Sequence, residues 1–242
     1  MFVMERRKKL IGLLLFRNEM RFLPGYFENV TPHVDGLIAL DDGSSDGSGD
    51  FVRRQPILLD LITHSEDDRR DWNEGAKRRV LIEAAMSLHP CWFLALDADE
   101  RVERHFRRRA NREIRRADAK GVSAYALRLR ELWDNPDTYR VDGIWGNKRR
   151  ARLFASRPDR EFDDRKLHGR WAPRDAAPFP HVDLIIYHLR MIDRADRRAR
   201  HAKYAELDPD WTWQPTGYDY FLDEEGIELE ALPPGRDYVP LG

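Results

Sequence analysis

Four short apolar runs in the first half of the chain constrain its fold more than any other feature. Runs of this length without polar alternation are typical of parallel strands covered on both faces. Segments with helical spacing lie between them, from Glu19 to Val30 and from Glu74 to Leu88. The alternation predicts an α/β fold with a mostly parallel sheet flanked by helices. The four runs are "LIGLLLF" (10–16), "DGLIALD" (35–41), "ILLDLITH" (57–64) and "CWFLALD" (91–97).

The second half has a different character. Its strand candidates are separated by long polar segments, and connections of that length usually carry function. A last helix is expected from Asp193 to Leu207, followed by an acidic, aromatic tail. We predict a single domain over 1–207, with halves at 1–120 and 121–207, and a C-terminal tail at 208–242. The strand candidates are "VSAYALRLREL" (122–132), "ARLFAS" (151–156) and "DLIIYHL" (183–189).

Composition excludes several classes of protein. The chain has 242 residues, and its 42 basic and 43 acidic side chains nearly cancel, so bulk charge does not favour a nucleic-acid binder. Cys91 is the only cysteine, which excludes an intramolecular disulfide and a Cys-rich zinc site. The run from Leu10 to Phe16 is short for a signal peptide and indicates a buried strand. We therefore expect a cytoplasmic protein.

The stretch "LIALDDGSSDGSGDF" (37–51) places Asp41 and Asp42 directly after an apolar run. A calcium loop is disfavoured, because counting from Asp42 puts Arg53 at the twelfth position, where a bidentate glutamate is needed. Two alternatives stay open: an ordinary surface turn, and a ligand pocket at the carboxyl end of a strand. A carboxylate there can accept from the imide N–H of a pyrimidine base or from ribose hydroxyls.

The stretch "CWFLALDADERV" (91–102) repeats this layout and ends its apolar run in Asp97 and Asp99. In an extended segment these two side chains point to the same side. Converging carboxylates are costly unless a positive charge lies between them, and Mg²⁺ typically uses one or two carboxylates with phosphate oxygens and water. The alternative is that acidic residues, Glu100 among them, cap the following helix.

Taken in order, "FRNEM", "ALDDGSSDGS", "DWNEGAKRRVLIEAA" and "WFLALDADERV" resemble the nucleotide-sugar half of family-two glycosyltransferases with the GT-A fold. The bacterial branch that contains lipopolysaccharide-core glucosyltransferases is the most similar. The resemblance covers the first half of the chain. It implies a Rossmann-like GT-A sheet, mixed and mostly parallel, with a donor-binding half over 1–120 and an acceptor and catalytic half over 121–207.

The resemblance also implies site residues. The nucleoside contact falls on Asp41 or Asp42, and the Asp-x-Asp motif falls on Asp97 and Asp99, of which Asp99 is the direct metal ligand. The remaining donor-site positions, near the nucleoside or the diphosphate, are Asn18, Glu19, Lys77 and Arg78. For the last two, a solvated helix face is the competing interpretation.

An inverting transfer also needs a base for the acceptor hydroxyl. The carboxylates considered lie beyond the metal motif, and Asp164 or Asp163 is preferred because each precedes His168 closely. His168 is a candidate third metal ligand, and His188 is the second choice. The chain has "LHGRW" where related sequences carry a His-Glu pair, which weakens the assignment of the base. The full set of candidates is Glu131, Asp134, Asp137, Asp163 and Asp164.

The sequence thus predicts a metal-dependent inverting glycosyltransferase that uses Mn²⁺ or Mg²⁺ and a nucleoside diphosphate sugar, with a UDP-sugar favoured. The acceptor is a glycan, a lipid-linked sugar or a small molecule, and nucleic acid is not a partner. The Arg-rich "RVERHFRRRANREIRR" leaves open a peripheral contact with the inner membrane face. Two alternatives remain: a sugar nucleotidyltransferase, although its Gly-rich phosphate loop is missing, and a catalytically silent nucleotide- or glycan-binding module.

Overall fold

The structure, a computed structural model, describes residues 9–65, 73–89, 92–167 and 169–239. The helices formed by these residues are α1 (Leu23–Val30), α2 (Ser48–Arg53), α3 (Glu74–Met86), α4 (Phe106–Ala117) and α5 (Arg194–Leu207). The strands are β1 (Leu10–Phe16), β2 (Gly36–Asp41), β3 (Leu58–Thr63), β4 (Trp92–Ala95), β5 (Glu100–Val102), β6 (Ala124–Glu131), β7 (Thr138–Arg140), β8 (Arg149–Ala155), β9 (His181–His188) and β10 (Leu229–Ala231).

Eight strands form one mixed sheet in the order β3-β2-β1-β4-β8-β6-β9-β5. The first four, from the first half of the chain, are all parallel. Among the other four, β8 runs antiparallel to both β4 and β6, β9 runs parallel to β6, and β5 runs antiparallel to β9. This confirms the predicted α/β fold class, a mixed and mostly parallel sheet flanked by helices.

Continuous apolar strands are needed because both faces of the sheet are covered. In β1, Leu14 and Phe16 pack with α1, α2 and α4 on one face. Ile11 and Leu13 alternate with them and pack against α3 on the other face. The uninterrupted apolar run therefore fits a strand that contributes to two cores.

The first helix is shorter than predicted. It begins at Leu23 rather than Glu19, so that Pro24 lies in its first turn. Proline is tolerated there because the first N–H groups of a helix have no intrahelical acceptor. Glu19 instead begins a turn, with its carbonyl accepting from the backbone N–H of Phe22 at 2.9 Å.

The segment between the two aspartates of the Asp-x-Asp motif is not extended, contrary to the prediction. Strand β4 ends at Ala95, and the chain turns so that the N–H of Glu100 donates to the carbonyl of Asp97 at 2.9 Å. The turn lets β5 begin at Glu100 and pair with β9 at the far side of the sheet. Glu100 is a buried strand residue and does not cap α4.

The segment after α5 packs against the domain. Tyr218 and Phe221 are buried with Trp133 and Trp145 in an aromatic cluster under the second half of the sheet. Strand β10 pairs with β7 in a separate two-stranded sheet. None of the helices in the described ranges combines the length and the apolar character needed to cross a lipid bilayer.

Candidate active site

A cleft of about 1240 Å³ opens at the carboxyl ends of β1, β2 and β4. Parallel strands bring these ends to one edge of the sheet, where α/β proteins commonly bind ligands. Residues from β8, β9 and α5 complete the cleft, so both halves of the chain contribute to it. Its lining contains these residues that the sequence had singled out for the site: Asn18, Glu19, Asp42, Lys77, Arg78, Asp97, Asp99, Glu131 and His188.

At one end of the cleft, Asp42 is held by Lys77. The ammonium of Lys77 lies 2.5 Å from Oδ2 of Asp42, and His64 Nδ1 lies 3.5 Å from Oδ1. Both Asp42 and Lys77 are largely buried. Both residues line the cleft beside the carboxyl end of β2, Asp42 as a hydrogen-bond acceptor and Lys77 as a donor.

Asp41 has a different position from its neighbour. Its carboxylate is buried and accepts from the backbone N–H of Ser44 at 2.8 Å, so it shapes the loop before α2. Gly49 packs closely against this carboxylate, because a Cβ at residue 49 would lie 2.3 Å from Oδ2 of Asp41. Asn18 joins the same loop from β1, with its side-chain oxygen accepting from the N–H of Ser45 at 2.8 Å.

Asp97 and Glu100 share one arginine. Nη2 of Arg152 lies 2.6 Å from Asp97 Oδ2 and 2.7 Å from Glu100 Oε1. Glu100 also accepts from the backbone N–H of Asp97 at 3.0 Å, which closes the turn after β4. Burial opposes ionisation of Asp97, but the charges of Arg152 and Arg78 keep its pKa below the usual value.

Asp99, His188 and Glu131 form a chain of contacts at the centre of the cleft. Asp99 Oδ2 lies 3.2 Å from Nε2 of His188, and Nδ1 of His188 contacts Oε2 of Glu131. Strand pairing causes this arrangement, since His188 lies opposite Glu100 across β5 and β9 and opposite Glu131 across β6 and β9. Lys148 contacts the other oxygen of Glu131.

The pKa values of the groups at this centre are strongly shifted. Burial alone would lower the pKa of His188, but the carboxylates of Glu131 and Asp99 raise it to about 9. Burial opposes ionisation of Asp99 as well, yet Arg190 and His188 hold its pKa well below the usual range. Clusters of shifted groups inside a cleft are typical of functional sites.

Arg190 bridges the carboxylates of Asp99 and Glu19. Its Nε lies 2.7 Å from Asp99 Oδ2, and its Nη2 lies 2.5 Å from Glu19 Oε1. The guanidinium also lies 4.6 Å from the centre of the Phe22 ring. Burial and the charge of Asp99 raise the pKa of Glu19 to about 7, although Arg190 acts in the opposite direction.

The donor atoms at Asp99 and His188 fit a hard divalent cation. Octahedral ligands at about 2.1 Å from Mg²⁺ lie about 3.0 Å from one another, close to the 3.2 Å between these two atoms. Glu131 accepts from Nδ1, and Nε2, which shares a proton with Asp99 in this structure, would become a metal ligand on loss of that proton, an arrangement common behind metal-bound histidines. Within the ranges described, no three His, Cys, Asp or Glu side chains form a metal centre by themselves, so phosphate oxygens or water would complete the shell.

The two carboxylates preferred as a base lie elsewhere. Asp163 is buried and accepts from Arg165 and from the backbone N–H of Arg170 at 3.1 Å. Burial works against its ionisation, but these hydrogen bonds lower its pKa to about 2. The side chain of Asp164 is 71% exposed and lies 3.8 Å from Arg174. Neither carboxylate lines the cleft, whereas Glu131 does. His168 lies outside the described residues.

Sequence reasoning missed the cations that neutralise this site. Arg152 and Arg190 each contact an aspartate of the Asp-x-Asp motif, and Lys148 contacts Glu131. The available signal was that two arginines stand next to strand candidates, Arg152 in "ARLFAS" and Arg190 after "DLIIYHL". A buried acidic cluster requires such partners, so an arginine at a strand end was a candidate for this role.

No family model matches the chain. Among solved structures, glucosyl-3-phosphoglycerate synthase from Mycobacterium tuberculosis, in complex with Mn²⁺, UDP and glucosyl-3-phosphoglycerate, is similar at 12% identity and a TM-score of 0.47, covering 93% of this chain and 88% of that one. A mycobacterial protein has 13% identity and a TM-score of 0.43, with coverages of 82% and 74%. Mannose-1-phosphate geranyltransferase from Thermus thermophilus has 10% identity and a TM-score of 0.35, with coverages of 95% and 75%. Likeness at this level does not identify a substrate for this chain.

Proposed function

We propose that this protein is a metal-dependent glycosyltransferase, which moves a sugar from a nucleoside diphosphate sugar to an acceptor hydroxyl with inversion. The observation that carries the proposal is the chain of contacts from Asp99 through His188 to Glu131 in the centre of the cleft. It offers an oxygen and a nitrogen ligand for Mn²⁺ or Mg²⁺, and it leaves the other positions to a diphosphate. The sequence resemblance to family-two glycosyltransferases supports the same reaction.

The residues at the β2 side of the cleft form the nucleoside end in this proposal. Asp42 accepts from the base or the ribose, and Lys77 holds that carboxylate in place. A carboxylate acceptor suits the imide N–H of uracil, which favours a UDP-sugar. Arg78 lines the cleft and its charge acts on Asp97, so we assign it to the diphosphate.

The cation, when bound, would neutralise the negative charge that develops on the departing diphosphate. Arg190 supplies a second positive charge at the same point, since it contacts Asp99 and can donate to a phosphate oxygen instead. Arg190 would compete with a cation held by Asp99 for this carboxylate, so its guanidinium would then be able to donate to the leaving group.

Glu131 has a positioning role in this account. Both of its oxygens are engaged, one by His188 and the other by Lys148, and their charges outweigh burial to hold its pKa below the usual value. A carboxylate in that state is a weak base. We therefore assign it to orienting His188, and we give Asp163 and Asp164 no part in proton transfer because neither lines the cleft. The proton of the acceptor hydroxyl would then pass to water in the open cleft.

Release of the donor sugar to water tests this function without knowledge of the acceptor. The full chain is incubated with UDP-glucose, UDP-N-acetylglucosamine or GDP-mannose, with Mn²⁺ or with EDTA, and nucleoside diphosphate is measured. We expect slow release that needs metal and is lost in Asp99→Asn, but is kept in Asp210→Asn, which alters an exposed aspartate. Tight donor binding with no release in any condition would point to a silent binding module, and release of pyrophosphate from sugar phosphate and UTP would point to a nucleotidyltransferase.

A further inference from the structure

The cleft carries an excess of positive charge that the chain as a whole lacks. The chain has 42 basic and 43 acidic residues, but 12 lysines and arginines and only 8 aspartates and glutamates line the cleft. Each of those 8 carboxylates has a lysine or arginine partner. Asp163, which does not line the cleft, neutralises Arg165, and the remaining excess is available to a ligand or to solvent ions.

Arg150 and Arg200 account for part of this excess. The guanidinium of Arg150 donates to the carbonyl of Arg149 at 3.0 Å, and that of Arg200 lies 5.3 Å from the Tyr204 ring centre and 5.6 Å from that of Phe221. Neither arginine forms an ion pair with a carboxylate in the part of the chain that the structure describes. The aromatic rings hold Arg200 in place, and the carboxylates of Asp99 and Glu131 act on its charge from a distance without forming an ion pair with it.

The two guanidinium groups lie near a third cation. Burial lowers the pKa of Lys148, and the charges of Arg150 and Arg200 lower it further, although Glu131 opposes this effect. The repulsion that Arg150 and Arg200 exert on Lys148 would be relieved by an anion that binds among these groups. Arginine is suited to that task because its planar donors match the oxygens of a phosphate.

Position along the sheet edge separates these arginines from the nucleoside end. Asp42 follows β2, Asp99 follows β4, and Arg150 belongs to β8, which is the next strand beyond β4. Three strand spacings of about 4.8 Å therefore separate the β2 end from the β8 end. Arg200 approaches from α5, in the second half of the chain. The donor extends from β2 to the metal, so the β8 side remains for the acceptor.

We propose that the acceptor carries a phosphate ester, which binds between Arg150 and Arg200 on the β8 side of the metal. This contact orients the acceptor hydroxyl towards the donor sugar. This proposal rests on the transfer reaction proposed above. The same phosphate group occurs on a free sugar phosphate or polyol phosphate and on a phosphorylated lipid. The cleft therefore selects an anionic acceptor over a neutral glycan.

Binding of defined phosphate probes tests the proposal. Calorimetry with the full chain, saturated with UDP and Mn²⁺, compares glycerol 3-phosphate and glucose 6-phosphate with glycerol and glucose. We expect only the phosphate esters to bind, and we expect Arg150→Gln and Arg200→Gln each to weaken them about tenfold to a hundredfold. Arg198→Gln, which alters an exposed arginine of α5 outside the cleft lining, should bind them as the parent does.

Vesicles of phosphatidylcholine with and without phosphatidic acid distinguish the two sources of the phosphate. If only the soluble esters bind, and this binding depends on Arg150 and Arg200, the result supports a free phosphorylated acceptor. If the acidic vesicles bind with the same dependence on these arginines, the result supports a lipid acceptor. Equal binding of the esters by the parent and both variants, or binding of none of the probes, overturns the proposal. Loss of UDP affinity in Arg150→Gln and Arg200→Gln would also overturn it, by assigning them to the donor. Failure of the parent to bind UDP would refute the transfer reaction. Binding of the phosphate esters could then still be measured with the protein in the absence of UDP.

Discussion

Asp99 Oδ2 and His188 Nε2 lie 3.2 Å apart, although 89 positions separate these residues in the chain. The short strand β5 causes the approach, because it begins one residue after Asp99 and pairs Glu100 with His188. A further hydrogen bond, from the N–H of Leu189 to the carbonyl of Asp99 at 2.9 Å, fixes the same contact. Backbone pairing therefore holds these two side chains together.

Replacement of Glu131 by glutamine tests its role behind His188. The variant keeps an acceptor for Nδ1 but loses the charge, and changes of this kind behind a metal-bound histidine cost about 10- to 100-fold in metal affinity. In the presence of UDP, we expect the affinity of Glu131→Gln for Mn²⁺ to be lower than that of the parent by this factor, as measured by electron paramagnetic resonance. Glu206→Gln, at an exposed position of α5, is the control and should bind Mn²⁺ as the parent does.

The same variant distinguishes positioning from proton transfer. If Glu131 is the base, Glu131→Gln should bind Mn²⁺ with unchanged affinity and lose turnover alone. Unchanged metal affinity in a folded variant would therefore contradict the assignment of Glu131 to His188.

Gly75 permits the close approach of α3 to the loop at 163–165, and Gly75→Ala should destabilise the fold. A Cβ at Gly75 would lie 2.7 Å from the carbonyl oxygen of Asp163 and 2.7 Å from the carbonyl carbon of Asp164, so the backbone must move. We expect a loss of about 1–3 kcal/mol in the free energy of unfolding, as for other overpacked sites. Helix propensity alone predicts the opposite sign, a gain of about 1 kcal/mol.

Urea denaturation measures this difference, with Glu83→Ala as an exposed control on the same helix. Stabilisation by Gly75→Ala would show that the loop leaves room for a methyl group beside α3.

His33 should make the fold sensitive to mild acid. The residue is buried beside Phe106, and burial, with the charges of Arg107 and His105, lowers its pKa to about 4. Since its unfolded pKa is about 6.5, the unfolded chain binds the proton first as the pH falls, and stability is lost between about pH 6.5 and pH 4.

The comparison with His33→Gln, which does not titrate, isolates this effect. Between pH 7 and pH 5 the free energy of unfolding of the parent should fall by about 2 kcal/mol more than that of the variant. Urea denaturation at the two pH values measures this. Parallel losses in both proteins would contradict a depressed pKa at His33.

The first half of the fold was predictable because its information is local. The runs that became β1, β2 and β4 are continuous and apolar because these strands are covered on both faces, whereas β3 lies at the sheet edge and is partly exposed. All four strands lie within one or two residues of the predicted bounds. The helix boundary at Leu23 was missed because a proline inside the predicted helix has an alternative place in its first turn. Local patterns do not decide between those two outcomes.

The centre of the site was less predictable because it depends on strand order. Asp97 and Asp99 were identified from their position after an apolar run, but the turn that follows β4 and the pairing of β5 with β9 have no local signature. His188 was therefore ranked below His168, although the sheet brings His188 to Asp99. Partners such as Arg190 become visible only once the order of the strands is known.

Thermal stability in the presence of UDP, with and without Mn²⁺, tests the central claim most directly. A ligand that binds only the folded state adds about 2.7 kcal/mol at a hundred times its dissociation constant. We predict stabilisation by UDP that requires Mn²⁺ in the parent and in Asp210→Asn, and its loss in Asp99→Asn. Stabilisation that is independent of the metal, or that survives in Asp99→Asn, would contradict a metal-assisted diphosphate site at Asp99 and His188.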